Sequence, residues 1–169
     1  GGSSTSCPTP SVTASAPDTG ALLGVSIDWA SDSLADYGER LGRAPAVAVT
    51  FSQMPLREGD RTNIAAAAGQ AAAQGGRLLL TLEPNEGLAT VNDEAVADLV
   101  EMLRGVNDTG VPVVVRFAHE MNGSWYAWGQ QPKAYVRTFR AVAAAVHELG
   151  ASGLAAEGER RQDLRAEVD

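Results

Sequence analysis

Four short apolar runs, at 22–27, 46–51, 77–82 and 112–117, alternate with longer stretches in which apolar residues recur at helical spacing. Nothing else in the chain restricts its fold as much. A run that is apolar at nearly every position has no solvated side, so it belongs in a parallel sheet covered by helices. The runs begin roughly 25 to 35 residues apart, the length that a strand, a helix and two connections require. Between them, Ser31 or Asp32 can cap a helix over 33–41, and the Ala-rich segment 61–74 ends at Gly75-Gly76. Asn92 caps a third helix, with Glu94 and Asp98 near its start and Arg104 at its end, the order the helix dipole favours. Pro132, tolerated in a first turn, opens a fourth helix reaching 148. The fold class is therefore α/β. Two architectures satisfy the pattern: a doubly wound open sheet, and a partial (β/α)8 barrel of about four βα units. No G-x-G-x-x-G or P-loop sequence follows any run, which weakens the nucleotide-binding version.

The segments outside the repeat differ in kind. Residues 1–20, rich in Ser, Thr, Pro and Gly, read as a flexible linker, and residues 21–149 as the barrel portion. Residues 150–169 are polar and charged where a fifth strand is due, and read as a solvated tail or marginal helix. A full barrel takes about 250 residues, and the chain has 169. The expectation is the first half of a barrel. Such a half leaves two strand edges and an apolar face uncovered, which predicts self-association.

A net charge of −8 argues against nucleic acid, since phosphate contacts need a basic field, and suits a neutral ligand such as a sugar polymer. No apolar run approaches the roughly 18 residues of a membrane span. Cys7 is the sole cysteine, so neither an intramolecular disulfide nor a cysteine zinc site can form. No metal or other cofactor is expected.

In βα-barrels chemistry sits beyond the carboxyl ends of the strands. Four groups share that address: Asp28-Trp29, Ser52-Gln53-Met54, Glu83 to Glu86, and His119-Glu120. The last is followed by Trp125, Tyr126 and Trp128, three of the chain's nine aromatic residues (three each of Trp, Tyr and Phe) within four positions. Glycoside cleavage needs a carboxylic acid to protonate the leaving oxygen and a second carboxylate opposite it. Partial burial beside aromatic surface would raise the acid's pKa as that role requires, and Glu120 is placed for it. Sugar rings offer an apolar face to stack on an indole and a polar edge for hydrogen bonds, which Asn122 can meet from both sides. The opening His119-Glu120 also begins like the metalloprotease H-E-x-x-H, but Gly123 stands where the second His would be. His147 reads as a helix residue. Asn122-Gly123-Ser124 and Asn107-Asp108-Thr109 fit the glycosylation pattern, a frequent chance match.

The run from Arg116 to Gly129, RFAHEMNGSWYAWG, resembles the fourth-strand signature of glycoside hydrolase family 26, and Glu83-Pro84 after the third strand is also family-like. Best known for β-mannanases, that family folds as a (β/α)8 barrel and cleaves with retention. The resemblance implies a secreted or cell-surface polysaccharide hydrolase acting on β-mannan or a related β-glycan. It implies Glu120 as general acid/base and His119 as a substrate-contacting neighbour. Trp125 and Trp128 would face sugar, with Arg116, Asn122, Tyr126, Glu83, Asp28 and Trp29 as further substrate-side positions. The family's nucleophilic glutamate follows the seventh strand, and no residue here takes that role by resemblance. Three readings follow: an endo-acting hydrolase of which this is the amino-terminal part, a non-catalytic carbohydrate-binding half-barrel, and a shortened reading frame without a stable fold.

Overall fold

The computed structural model describes residues 20–151. Residues 1–19 with Cys7, and residues 152–169 of the expected tail, lie outside the described residues. Four strands, β1 (Gly24–Ser26), β2 (Val47–Gln53), β3 (Arg77–Glu83) and β4 (Val113–Phe117), alternate with four helices, α1 (Leu34–Leu41), α2 (Glu58–Ala73), α3 (Asp93–Asn107) and α4 (Pro132–Ala151). A short 3₁₀ turn, Leu88–Thr90, precedes α3.

The strands are all parallel and lie in the order β1-β2-β3-β4. That order decides between the two expected architectures. A doubly wound sheet reverses its strand order to place helices on both faces. Strands added in sequence through right-handed crossovers keep every helix on one face, the arrangement of a barrel wall. The chain is a partial α/β barrel of four βα units.

Strand periodicity then sorts the residues. On the helix side Ala48, Thr50, Leu78, Leu80, Leu82 and Phe117 are buried, against Ile64 and Ala68 of α2, Leu99 and Leu103 of α3, and Val142 of α4. Leu78, Leu80 and Leu82 retain 0% exposure, worth about 1.5–3 kcal/mol each. The opposite face, with Phe51 of β2, Leu79 and Thr81 of β3, and Val114 and Arg116 of β4, carries no helix among the described residues. Phe51 is 46% exposed there, so the expected burial of the strands holds fully on one face only.

Local boundaries moved for identifiable reasons. Ser33, rather than Ser31 or Asp32, caps α1, its hydroxyl accepting from the Asp36 N–H at 3.1 Å. Helix α2 starts at Glu58 instead of 61, because the Asp60 carboxylate accepts from the Arg57 N–H at 2.9 Å and holds the first turn. Asn92 caps α3 as expected, accepting from the Ala95 N–H at 3.0 Å. No helix among the described residues is long and apolar enough to cross a membrane.

Candidate functional site

The site begins where β4 stops. Ala118 still donates its N–H to the Leu82 carbonyl at 2.9 Å, as one more rung beside β3. The chain then turns sharply, with Ala118 at φ 45° and Glu120 at φ 54°, both left-handed. Non-glycine residues in that region cost on the order of 1–3 kcal/mol each, so the surroundings must hold the turn. They do so through the Trp128 indole N–H, which donates to the His119 carbonyl at 2.8 Å. Gly123 N–H donates to the Glu120 carbonyl at 2.9 Å, and Gln130 N–H to the Met121 carbonyl at 2.8 Å. Two glycines allow the loop to close. A Cβ on Gly123 would lie 2.4 Å from the Trp125 indole, and one on Gly129 only 2.0 Å from the Gly123 carbonyl oxygen.

Inside the turn, His119 is enclosed by rings. Phe51, Tyr126 and Trp128 meet it edge to face at centroid distances of 6.1, 5.0 and 5.7 Å. Tyr126 and Trp128 stack on each other at 4.2 Å and 7°. His119 Nε2 shares a hydrogen bond with the Tyr126 hydroxyl at 3.1 Å and lies 3.8 Å from Glu83 Oε1. Its Nδ1 is buried with no partner. A bare lone pair there costs less than an orphaned N–H, so the ring proton belongs on Nε2, where the Tyr126 hydroxyl can accept it.

Outside the turn lies a rim. Trp125 is 69% exposed, and its indole N–H donates to Glu120 Oε2 at 2.8 Å. Glu120 and Asn122 are exposed beside it. Two expectations need correction here. Glu120 is not partly buried, because the left-handed turn points it away from the ring cluster. Trp128 does not face sugar: at 0% exposure it is the buried post that supports the His119 carbonyl.

The remaining expected positions divide by strand. Arg116 lies on the open face, its Nε donating to Thr81 Oγ1 at 3.0 Å and its guanidinium centred 5.6 Å over the Phe51 ring. Glu83 ends β3 beside His119, so Arg116, Glu83, His119, Glu120, Trp125 and Tyr126 form one neighbourhood across β3 and β4. Asp28 and Trp29 follow β1, with β2 between them and that neighbourhood. Trp29 donates its indole N–H to the Val49 carbonyl at 3.0 Å and packs against the core. Asp28 closes its own turn, and hydrogen bonds from the Ser31 hydroxyl and the Ala30 N–H hold its carboxyl below the usual range. His147 is an exposed residue of α4. The reading of the sequence missed Phe51 and Thr81, which complete the surroundings of His119 and Arg116. Their signal was strand alternation: both lie level with Arg116 in the sheet register.

Residues 71–150, from the end of α2 almost to the end of α4, match the sequence model of one family. That family is Glycosyl hydrolase family 26. The matched segment includes Glu83 and the whole turn from His119 to Gly129. The structure of GH26A from Muricauda sp. MAR_2010_75 is similar to this chain with a TM-score of 0.55 and 17% identity, over 79% of this chain and 55% of that one. The Podospora anserina GH26-CBM35 β-(1,4)-mannanase aligns with a TM-score of 0.48 and 14% identity, over 72% of this chain and 36% of that one. The YdhT protein from Bacillus subtilis aligns with a TM-score of 0.46 and 14% identity, over 76% and 50%. The chain spans about half the length of the first of these structures. No curated protein matches it in sequence. At 17% identity the likeness to the Muricauda structure shows a shared fold.

Proposed function

We propose that this chain carries the acid/base side of a retaining β-glycanase site that acts on β-1,4-mannan or a related β-glycan. The observation behind the proposal is the contact at the β4 rim, where an exposed indole holds a carboxylate through a 2.8 Å hydrogen bond. The Trp125 N–H occupies Glu120 Oε2 and leaves Oε1 to carry the proton that a departing sugar oxygen needs. The indole face beside it offers a flat surface for the apolar side of a pyranose. Asn122, Arg116 and the Nε2 edge of His119, with Tyr126 and Glu83, supply hydrogen-bonding groups for hydroxyls around the same point. Retention further requires a carboxylate about 5–5.5 Å from the acid, and no described residue is assigned to it; Glu83 is read as a substrate-side group. The family relationship supports a polysaccharide substrate. The mannan assignment rests on the resemblance of the motif at 116–129, and a secreted or cell-surface location goes with that substrate.

The 69% exposure of Trp125 also favours a second reading, sugar binding without hydrolysis. One experiment separates them. The chain, joined to a carboxyl-terminal half-barrel that supplies the second carboxylate, is incubated with β-mannan and reducing ends are counted for wild type and Glu120→Gln. Under the first reading wild type releases them and the variant is slower by at least about 100-fold, while still binding the polymer. Equal rates would remove Glu120 as the acid. Binding with no release by wild type would select the second reading.

A further inference from the structure

Gly123 is buried in the turn between Glu120 and Trp125, and its backbone does not call for a glycine, since its φ lies outside the left-handed region. The space around it does. A Cβ there would stand 2.4, 2.6 and 2.7 Å from Cζ2, Cε2 and Cη2 of Trp125. Near-equal distances to three consecutive ring atoms put that point over the face of the benzo ring, because at the ring's edge one atom would be much nearer than the other two. One face of the indole therefore lies flat on Gly123, while Trp125 as a whole stays 69% exposed. Gly123 has no room to draw back. Its carbonyl oxygen lies so close to Gly129 that a Cβ on that glycine would meet it at 2.0 Å. A side chain at 123 can be admitted only by moving the indole.

The same residue reaches both ends of Glu120. Its N–H donates to the Glu120 carbonyl at 2.9 Å, and the indole lying on it donates to Glu120 Oε2 at 2.8 Å. The second bond is exposed to solvent, where water competes for both partners and a lone side-chain hydrogen bond holds little. Contact with Gly123 restricts the swing of the indole, so less conformational freedom is lost when the bond forms. We propose that Gly123 is a positioning residue for Glu120. Its missing side chain lets the Trp125 indole lie on the loop, and the indole then fixes the carboxylate in one orientation before a sugar arrives. The proposal rests on the reading of Glu120 as the acid.

The indole N–H region of a proton–nitrogen correlation spectrum tests it on the full 169-residue chain. No sugar is present, so the result stands or falls separately from the glycan reading. The three tryptophans give three indole signals, and that of Trp125 is the one lost in Trp125→Phe. Glu120→Gln should shift it, because the acceptor loses its charge. Gly123→Ala should move it to the position of a freely exposed indole, leave the Trp29 and Trp128 signals in place, and make it insensitive to Glu120→Gln. Gly105→Ala, at an open position, should do none of this. A Trp125 signal that still responds to Glu120→Gln in the Gly123→Ala variant would overturn the proposal, as would a wild-type signal that Glu120→Gln leaves unmoved. If Gly123→Ala alone does not fold, adding Trp125→Ala removes the obstacle, and the double variant should recover the thermal midpoint of Trp125→Ala. A double variant that still does not fold would overturn the proposal too.

Discussion

Trp128→Ala is expected to destabilise the chain by about 3–5 kcal/mol, the range for removing a fully buried tryptophan. The indole has 0% exposure, stacks on Tyr126 at 4.2 Å, and ties down the His119 carbonyl between two left-handed residues. Removing it opens a cavity and frees a strained turn at once. Urea denaturation reads the loss as a lower midpoint. Trp128→Phe keeps the stack but not the hydrogen bond, and should lose only about 1 kcal/mol. An alanine variant as stable as wild type would mean that this indole does not support the turn.

Gly129→Ala is expected to cost about 3 kcal/mol, the upper end for overpacking. The added carbon would lie 2.0 Å from the Gly123 carbonyl oxygen, a backbone atom that cannot rotate aside. The loop must open to admit it, carrying Trp125 with it, because Gly123 is itself packed under that indole. The variant should therefore melt earlier and also show a changed near-ultraviolet circular dichroism spectrum. Gly105→Ala is the control, because a Cβ there meets nothing within 4 Å. Equal loss in both variants would contradict the close approach.

Much of this fold was legible in the chain. Apolar runs at 46–51 and 77–82 located β2 and β3 because parallel strands must be apolar along most of their length. Their arrangement as a partial barrel was legible only through the chain length and the resemblance of the motif at 116–129, since the local pattern of a barrel wall and of a doubly wound sheet is the same. In the structure, the spatial order of the strands distinguishes them. The start of α2 was obscured by Glu58-Gly59-Asp60, a polar stretch whose helicity depends on Asp60 bonding back to Arg57. At the site, the motif located the turn but not the orientation of its rings. Trp125 and Trp128 are three residues apart and alike in chemistry, yet one is 69% exposed and the other 0%. The left-handed residues at 118 and 120 set that difference, and neither is a glycine that would advertise it. Phe51 and Thr81 went unseen because they come to the site across the sheet rather than along the chain.

The central claim is that the rim formed by Trp125 and Glu120 receives a β-glycan, and titration with mannohexaose followed by tryptophan fluorescence tests it most directly. Of the three tryptophans, Trp128 is buried and Trp29 is partly buried against the core, so the exposed Trp125 should carry most of the signal. The account predicts saturable quenching in wild type. Trp125→Ala should abolish it while leaving stability within about 0.5 kcal/mol, as for an exposed position. No quenching in the folded wild-type chain, or quenching that persists in Trp125→Ala, would contradict it.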